Sequence, residues 1–258
     1  MYNRLPKQHY RNAPITEAVI DLRVEVPADL GLKNLRDVLA EDAEMERYPS
    51  KEALLLEGVQ FARSGDGAST TSTVRQEIGV RFHSTDGKYV FQARRDGFTL
   101  SRLSPYENWA SFRTEARRLW NLYRATARPT RVLRAALRYI NRINIPLPLN
   151  DFSEYFRTFP EVSRDLPQAL SGYFMQLKMP LEHAECVAII NQAVLQNSTS
   201  HEPVPENIVA ILLDIDLFRT ANLPSEDDGI WVLLDALAEE KNQVFEASIT
   251  DKTRKLFQ

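Results

Sequence analysis

The stretch RVLRAALRYINRINIPLPLN, residues 131–150, decides how this chain folds. Its arginines at 131, 134, 138 and 142 recur at steps of three and four, the spacing that keeps side chains on one face of a helix. Composition argues for a strand instead: Tyr139, Ile140, Ile143 and Ile145 are aromatic or β-branched and suit a pleated, half-buried surface. We assign a strand over about 132–145. Arg134, Arg138 and Arg142 then share a face with Ala136 and Ile140, while Leu133, Leu137, Tyr139, Ile143 and Ile145 point toward a core. Neighbouring arginines in the row stand ~13 Å apart at about 3.3 Å per residue. Such a row either clamps the phosphates of an anionic partner or pairs with carboxylates on the next strand. Internal pairing is preferred, because arginines in mid-sheet rarely go without partners. Asp214 and Asp216 in LLDIDLF, which share a strand face roughly 7 Å apart, are the acids best placed for it.

Charge is uneven along the whole chain, although the net value is only −3. Residues 111–142 hold nine arginines against Glu115 alone, and residues 202–246 hold eleven acids against Arg219 and Lys241. This asymmetry implies either an anionic partner for the arginine-rich middle or two regions that neutralise each other. The length of 258 residues, 43% of them hydrophobic, suits one large domain or two small ones. No window of about 18 apolar residues occurs, and MYNRLPKQHYRNAP carries charge without an apolar run behind it, so no membrane association and a cytoplasmic location are expected. Cys186, the single cysteine, lies in the alternating segment ECVAIINQAV and reads as a buried, inert thiol.

A faint internal repeat sets the expected fold. LRVEVP at 22–27 aligns with NRINIP at 141–146, and WASFRTEARRLWNLY from 109 aligns with WVLLDALAEEKNQVF from 231. The offsets, 119 and 122, are nearly equal. Between them, short alternating runs punctuated by Asp-Gly pairs at 66, 86 and 96 predict an antiparallel meander. Apolar stripes predict helices over 107–125 and from Asp227 to about Ala247, and Asp29 is a candidate cap for a helix after the first strand. The expected class is therefore α+β, with duplicated strand–helix–antiparallel meander–helix units of helix-grip or TATA-binding-protein-like type. The two pseudo-equivalent halves would span 1–128 and 129–258.

The chemistry-bearing patterns are sparse. The glycines form no phosphate-cradling loop, the four histidines show no paired metal-ligand spacing, and His183 and Cys186, three apart, fall on opposite faces of a strand. No catalytic residue, metal or cofactor is assigned. Trp120 sits beside the Phe112–Ala116 stripe and is the candidate stacking residue for bases.

The segments YRNAPITEAVIDLRV, FQARRDGFTLSRLSPYENWASFRTEARRLWNLY, LRYINRINIP and KNQVFEASITDKTRKLF, taken in that order, resemble a sporadically distributed prokaryotic family of uncharacterised proteins. The resemblance spans nearly the whole chain. It implies a prokaryotic, cytoplasmic, full-length single protein, and it carries no activity, cofactor or catalytic residue with it. The function expected is a non-enzymatic binding or regulatory protein that recognises an anionic partner, nucleic acid included, through Arg134, Arg138, Arg142 and Arg23. A protein-partner module of antitoxin-like or chaperone-like kind is the alternative, and an enzyme of unrecognised type ranks below both. The oligomeric state stays open.

Overall fold

The structure is a computed structural model that describes residues 4–6, 8–63, 69–167, 170–196 and 204–258. In chain order the elements are β1 (Ile15–Glu25), α1 (Leu32–Arg36), α2 (Asp42–Arg47), β2 (Ser50–Arg63), β3 (Ser69–His83), β4 (Tyr89–Arg94), β5 (Gly97–Leu103), α3 (Trp109–Ala127), β6 (Arg131–Pro146), β7 (Phe174–Leu181), β8 (Cys186–Val194), β9 (Ile208–Arg219), α4 (Asp227–Ser248) and α5 (Asp251–Arg254). Among the described residues the strands form one nine-stranded sheet in the order β2-β3-β4-β5-β1-β6-β9-β8-β7.

This sheet overturns the expected α+β, helix-grip class with its internal duplication. The strands join a single sheet instead of two, and the segments proposed as copies differ: α1 and α2 follow β1, whereas a single 3-10 turn, Phe152–Glu154, follows β6. Only α3 and α4 exceed six residues among the described helices. The sheet closes into one because β1 and β6 are neighbours: Arg142 donates its N–H to the Pro14 carbonyl at 2.9 Å, and Thr130 donates to Glu25 at 2.8 Å. Similar local patterns at two places had suggested two sheets, but strand pairing at long range decides the topology. The Asp-Gly pair at 66 lies outside the described residues, as does most of NSTSHEPVPEN, expected to be a loop. Asp29 caps no helix; Gly31 is the N-cap of α1, and Asp29 accepts a bond from Arg128 at 2.9 Å.

The chain divides into two compact units. One comprises residues 21–101 and 110–133. Its core is an aromatic series across three strands and a helix. Phe82 lies opposite Phe91 in the β3–β4 register with rings stacked at 5.4 Å, Phe91 meets Phe98 at 5.3 Å, and Phe98 meets the edge of Trp120 at 5.5 Å. Gly97 is required where β5 passes β1, since a Cβ there would stand 2.5 Å from the Leu22 carbonyl oxygen.

The other unit comprises residues 1–20, 102–109 and 134–258. Here β6, β9, β8 and β7 pair antiparallel, and α4 covers one face. The strand assignment for residues 131–146 holds. Leu137, Tyr139, Ile143 and Ile145 are buried as expected, but Leu133 is exposed, and Asn141 is buried among them with its amide donating to the carbonyls of Leu213 and Tyr139. α4 leaves a stripe through Asp228, Val232, Ala236 and Glu239 exposed and is buried over most of Glu240–Glu246, where its Lys241 ammonium lies 3.8 Å from the centre of the Tyr139 ring.

Glu240 is the least expected residue of that helix. It is 1% exposed, its Oε1 has no hydrogen-bond partner among the described groups, and His183 Nδ1 stands 3.8 Å from its Oε2. Burial pushes this carboxyl above its ordinary value. A folded-state pKa raised above the unfolded one means that the protonated form favours folding, so stability falls as pH rises from the ordinary carboxylate range through the raised value. Glu240→Gln is expected to raise the melting temperature at pH 7, by about 2–4 °C for each kcal/mol recovered in a chain of this size. The advantage should vanish below about pH 4, where Glu240 is protonated in both states. A thermal-melt series from pH 3 to 8 that shows the same difference throughout would refute this account.

Candidate functional site on the face opposite α4

The face of β6, β9, β8 and β7 that points away from α4 carries the arginine row. Arg138 lies opposite Asp216 and Ile140 opposite Asp214, so the arginine leans along the strand to reach its acid. Its Nε donates to Asp214 Oδ1 and its Nη2 to Asp214 Oδ2, both at 2.7 Å, a side-on bidentate pair. The two partners differ sharply in exposure: the Asp214 side chain is 3% accessible and that of Arg138 is 46%. Hydrogen bonding to Asp214 raises the Arg138 pKa further, with the charges of Asp214, Asp216 and Glu17 helping and burial opposing.

A second pair lies beside it. Arg134 crosses the Phe218 ring, its Cζ 4.7 Å from the centroid, and donates to Asp216 Oδ2 at 2.9 Å. At the third step of the row β9 presents Ala210 opposite Asn144, and Arg142 Nε donates to Asn144 Oδ1 at 3.2 Å. The expected pairing with Asp214 and Asp216 is thus present for two of the three arginines.

Asp214 also anchors a polar rung. Gln176, Asn191 and Asp214 lie directly opposite one another on β7, β8 and β9. Gln176 Nε2 donates to Asn191 Oδ1 at 2.8 Å, and Asn191 Nδ2 donates to Asp214 Oδ2 at 2.9 Å. Sequence reasoning passed over Gln176 and Asn191. Alternation within ECVAIINQAV does place Asn191 on the face opposite Ile190, and that was the available signal.

The remaining candidates lie elsewhere. Arg23 belongs to the 21–101 unit, where its Nε donates to Asp21 at 3.1 Å and its Nη1 to Asp96 at 2.9 Å. Trp120 is 1% exposed and stacked on Tyr123 at 5.6 Å, deep in the aromatic core. It stands four residues after Ala116 and eight after Phe112, squarely on the helix stripe, and so was misplaced at the stripe's edge. Other arginines of the basic middle are paired as well: Arg118 with Glu115 and Glu44, Arg128 with Asp29, Arg131 with Glu25. Much of the basic excess is therefore neutralised within the chain. Among the described residues no group of three His, Cys, Asp or Glu side chains is placed to hold a metal ion. No described helix is long and apolar enough to cross a membrane.

No model of a known protein family matches the chain, and a search of curated proteins finds no match to it.

Arg138→Ala should leave the buried Asp214 carboxylate with only Asn191 to satisfy it, at a cost of about 1–3 kcal/mol. Adding Asp214→Asn should restore most of that loss; equal melting temperatures for wild type and Arg138→Ala would show that the pair does not hold these strands. Burial pushes the Cys186 thiol up to about 11. Native protein at pH 8 should then react with a disulfide reagent about a hundredfold more slowly than unfolded protein. Fast labelling of the native protein would contradict that burial.

Proposed function

We propose that the protein is a non-enzymatic binding or regulatory module, prokaryotic and cytoplasmic in keeping with the family resemblance, that recognises an anionic partner on the face opposite α4. One observation carries the proposal: Arg138 is almost half exposed yet locked in place by a buried carboxylate. The side-on pair uses Nε and Nη2, so Nη1 is left out of it and points its donors elsewhere in a fixed orientation. An arginine already immobilised loses little rotamer entropy when it binds, which lowers the cost of recognition. Arg134 and Arg142 extend the row on the same strand face, beside Asp214 and Asp216 and within reach of the charge of Glu17.

A protein partner is the second candidate, favoured by the edge strand β7, where Phe174 is 68% exposed and Met179 36%. Salt distinguishes the two. Binding to phosphates releases counterions with a log–log slope of about −0.9 for each phosphate on duplex, and about −0.7 on single strands. Three arginines therefore predict a slope between about −2 and −3. The test is titration of mixed-sequence single-stranded and duplex nucleic acid, with heparin alongside, from 50 to 300 mM salt. Wild type is expected to show that slope, and Arg142→Ala is expected to reduce its magnitude by about 1 while the fold stays intact. Binding with no salt dependence, or a slope unchanged in Arg142→Ala, would remove the anionic partner from this face.

A further inference from the structure

On the opposite face of the same strands, between β7, β8 and α4, lies a cavity of about 250 Å³. Its walls are almost wholly apolar: Met175, Leu177 and Leu181 from β7, Ile190 from β8 and Val244 from α4 are typical. Among the described residues no charged side chain lines it. The polar groups in the wall are few, and two are already used. Gln243 clamps the backbone of Leu5, accepting from its N–H at 2.7 Å and donating to its carbonyl at 3.1 Å, and Ser248 Oγ donates to the Val244 carbonyl at 2.7 Å. Gln192 differs. It is 2% exposed, it lines the cavity, and its Oε1 has no hydrogen-bond partner among the described groups.

We infer that this cavity is a binding site for a small, uncharged, largely apolar molecule that carries one N–H or O–H donor, with Gln192 Oε1 as the acceptor. The chemistry of the wall selects each part of that description. A charged ligand would lose its hydration with no counter-charge to meet it. A ligand without a donor would leave the Gln192 carbonyl buried and unsatisfied, whereas a donor relieves that penalty. The volume is below the 300–1,000 Å³ or so typical of drug-sized ligands, so a fused ring or a short chain fits better than a larger body. Met175 and the exposed Met179 border the site, and their unbranched side chains adapt to whatever shape enters. This inference is independent of the anion proposal, because it concerns the other face of the sheet and uses none of the arginines.

The test compares two probes of nearly equal shape, indole, which has an N–H donor, and benzofuran, which has an oxygen in its place. Titrations of the full chain are followed through the methyl resonances of Met175 and Met179. Both resonances are expected to shift on adding indole, with indole binding about tenfold more tightly than benzofuran, the equivalent of one hydrogen bond. In Gln192→Leu the preference should disappear, through weaker indole binding and unchanged or tighter benzofuran binding. Ala247→Phe should block both probes by filling the space. Absence of any methyl shift in wild type, or equal affinities for the two probes in wild type, would overturn the inference. The wild-type comparison reads the proposal even where a variant fails to fold.

Discussion

The pairing of Arg138 with Asp214 is the constraint on which the register of β6 against β9 depends. Alternation alone determines which face of β6 is buried, because a slip of one residue would turn Tyr139, Ile143 and Ile145 outward and the arginines inward. A slip of two residues keeps that parity and would cost the apolar face much less. In one direction it would set Phe218 opposite Arg138 and carry the guanidinium away from the one carboxylate in the ladder that is nearly inaccessible to water. In the other it would set Asp214 directly opposite Arg138, where the side-on pair made by leaning along the strand is lost. A buried, unpaired carboxylate is among the more expensive defects a sheet can hold. The ion pair therefore specifies what the hydrophobic pattern leaves degenerate.

That requirement propagates across the sheet. Asp214 has acceptor capacity beyond the guanidinium, and Asn191 takes part of it, which in turn orients the Asn191 carbonyl toward Gln176 on the edge strand. Four strands are thus tied by one line of hydrogen bonds on the face away from α4. The face beneath is organised by burial instead, with α4 over β6 and β9. Near β7 the apolar cover thins. Its odd-numbered residues are only partly buried, and the cavity beside Gln192 occupies that margin.

The sequence was most informative where one physical signal dominated. The strand at 131–146 was legible because parity separated the arginines from Leu137, Tyr139, Ile143 and Ile145, and the partners Asp214 and Asp216 were legible from their own alternation. Both long helices declared themselves through apolar spacing. The single sheet was not legible. Whether β1 lies beside β6 or at the edge of a separate sheet depends on pairing between residues over a hundred positions apart, and local alternation is the same in either case. Gln192 was missed because it adjoins Asn191 in IINQAV: the two point to opposite faces, and which of them is turned inward depends on the helix that covers the strand. Trp120 was misjudged by angle: its spacing from Phe112 and Ala116 places it inward, and the packing of Phe98 and Tyr123 on it follows.

Stability alone does not account for the polar face. An ion pair with one nearly inaccessible partner gains little over apolar residues of the same volume, since the attraction must first offset the desolvation of Asp214. Replacing Arg138 and Asp214 together by a well-packed pair such as leucine and valine would thus cost little in folding free energy, while the register would lose its most discriminating contact. What the pair adds is specificity, together with a guanidinium held rigid at the surface with donors outside the pair. In Arg134 the same device is reinforced by the Phe218 ring, which supports the planar group from one side as Asp216 holds its end. Rigidity required for strand register and rigidity required for the proposed anion recognition are the same physical property, and on this face one set of contacts would supply both.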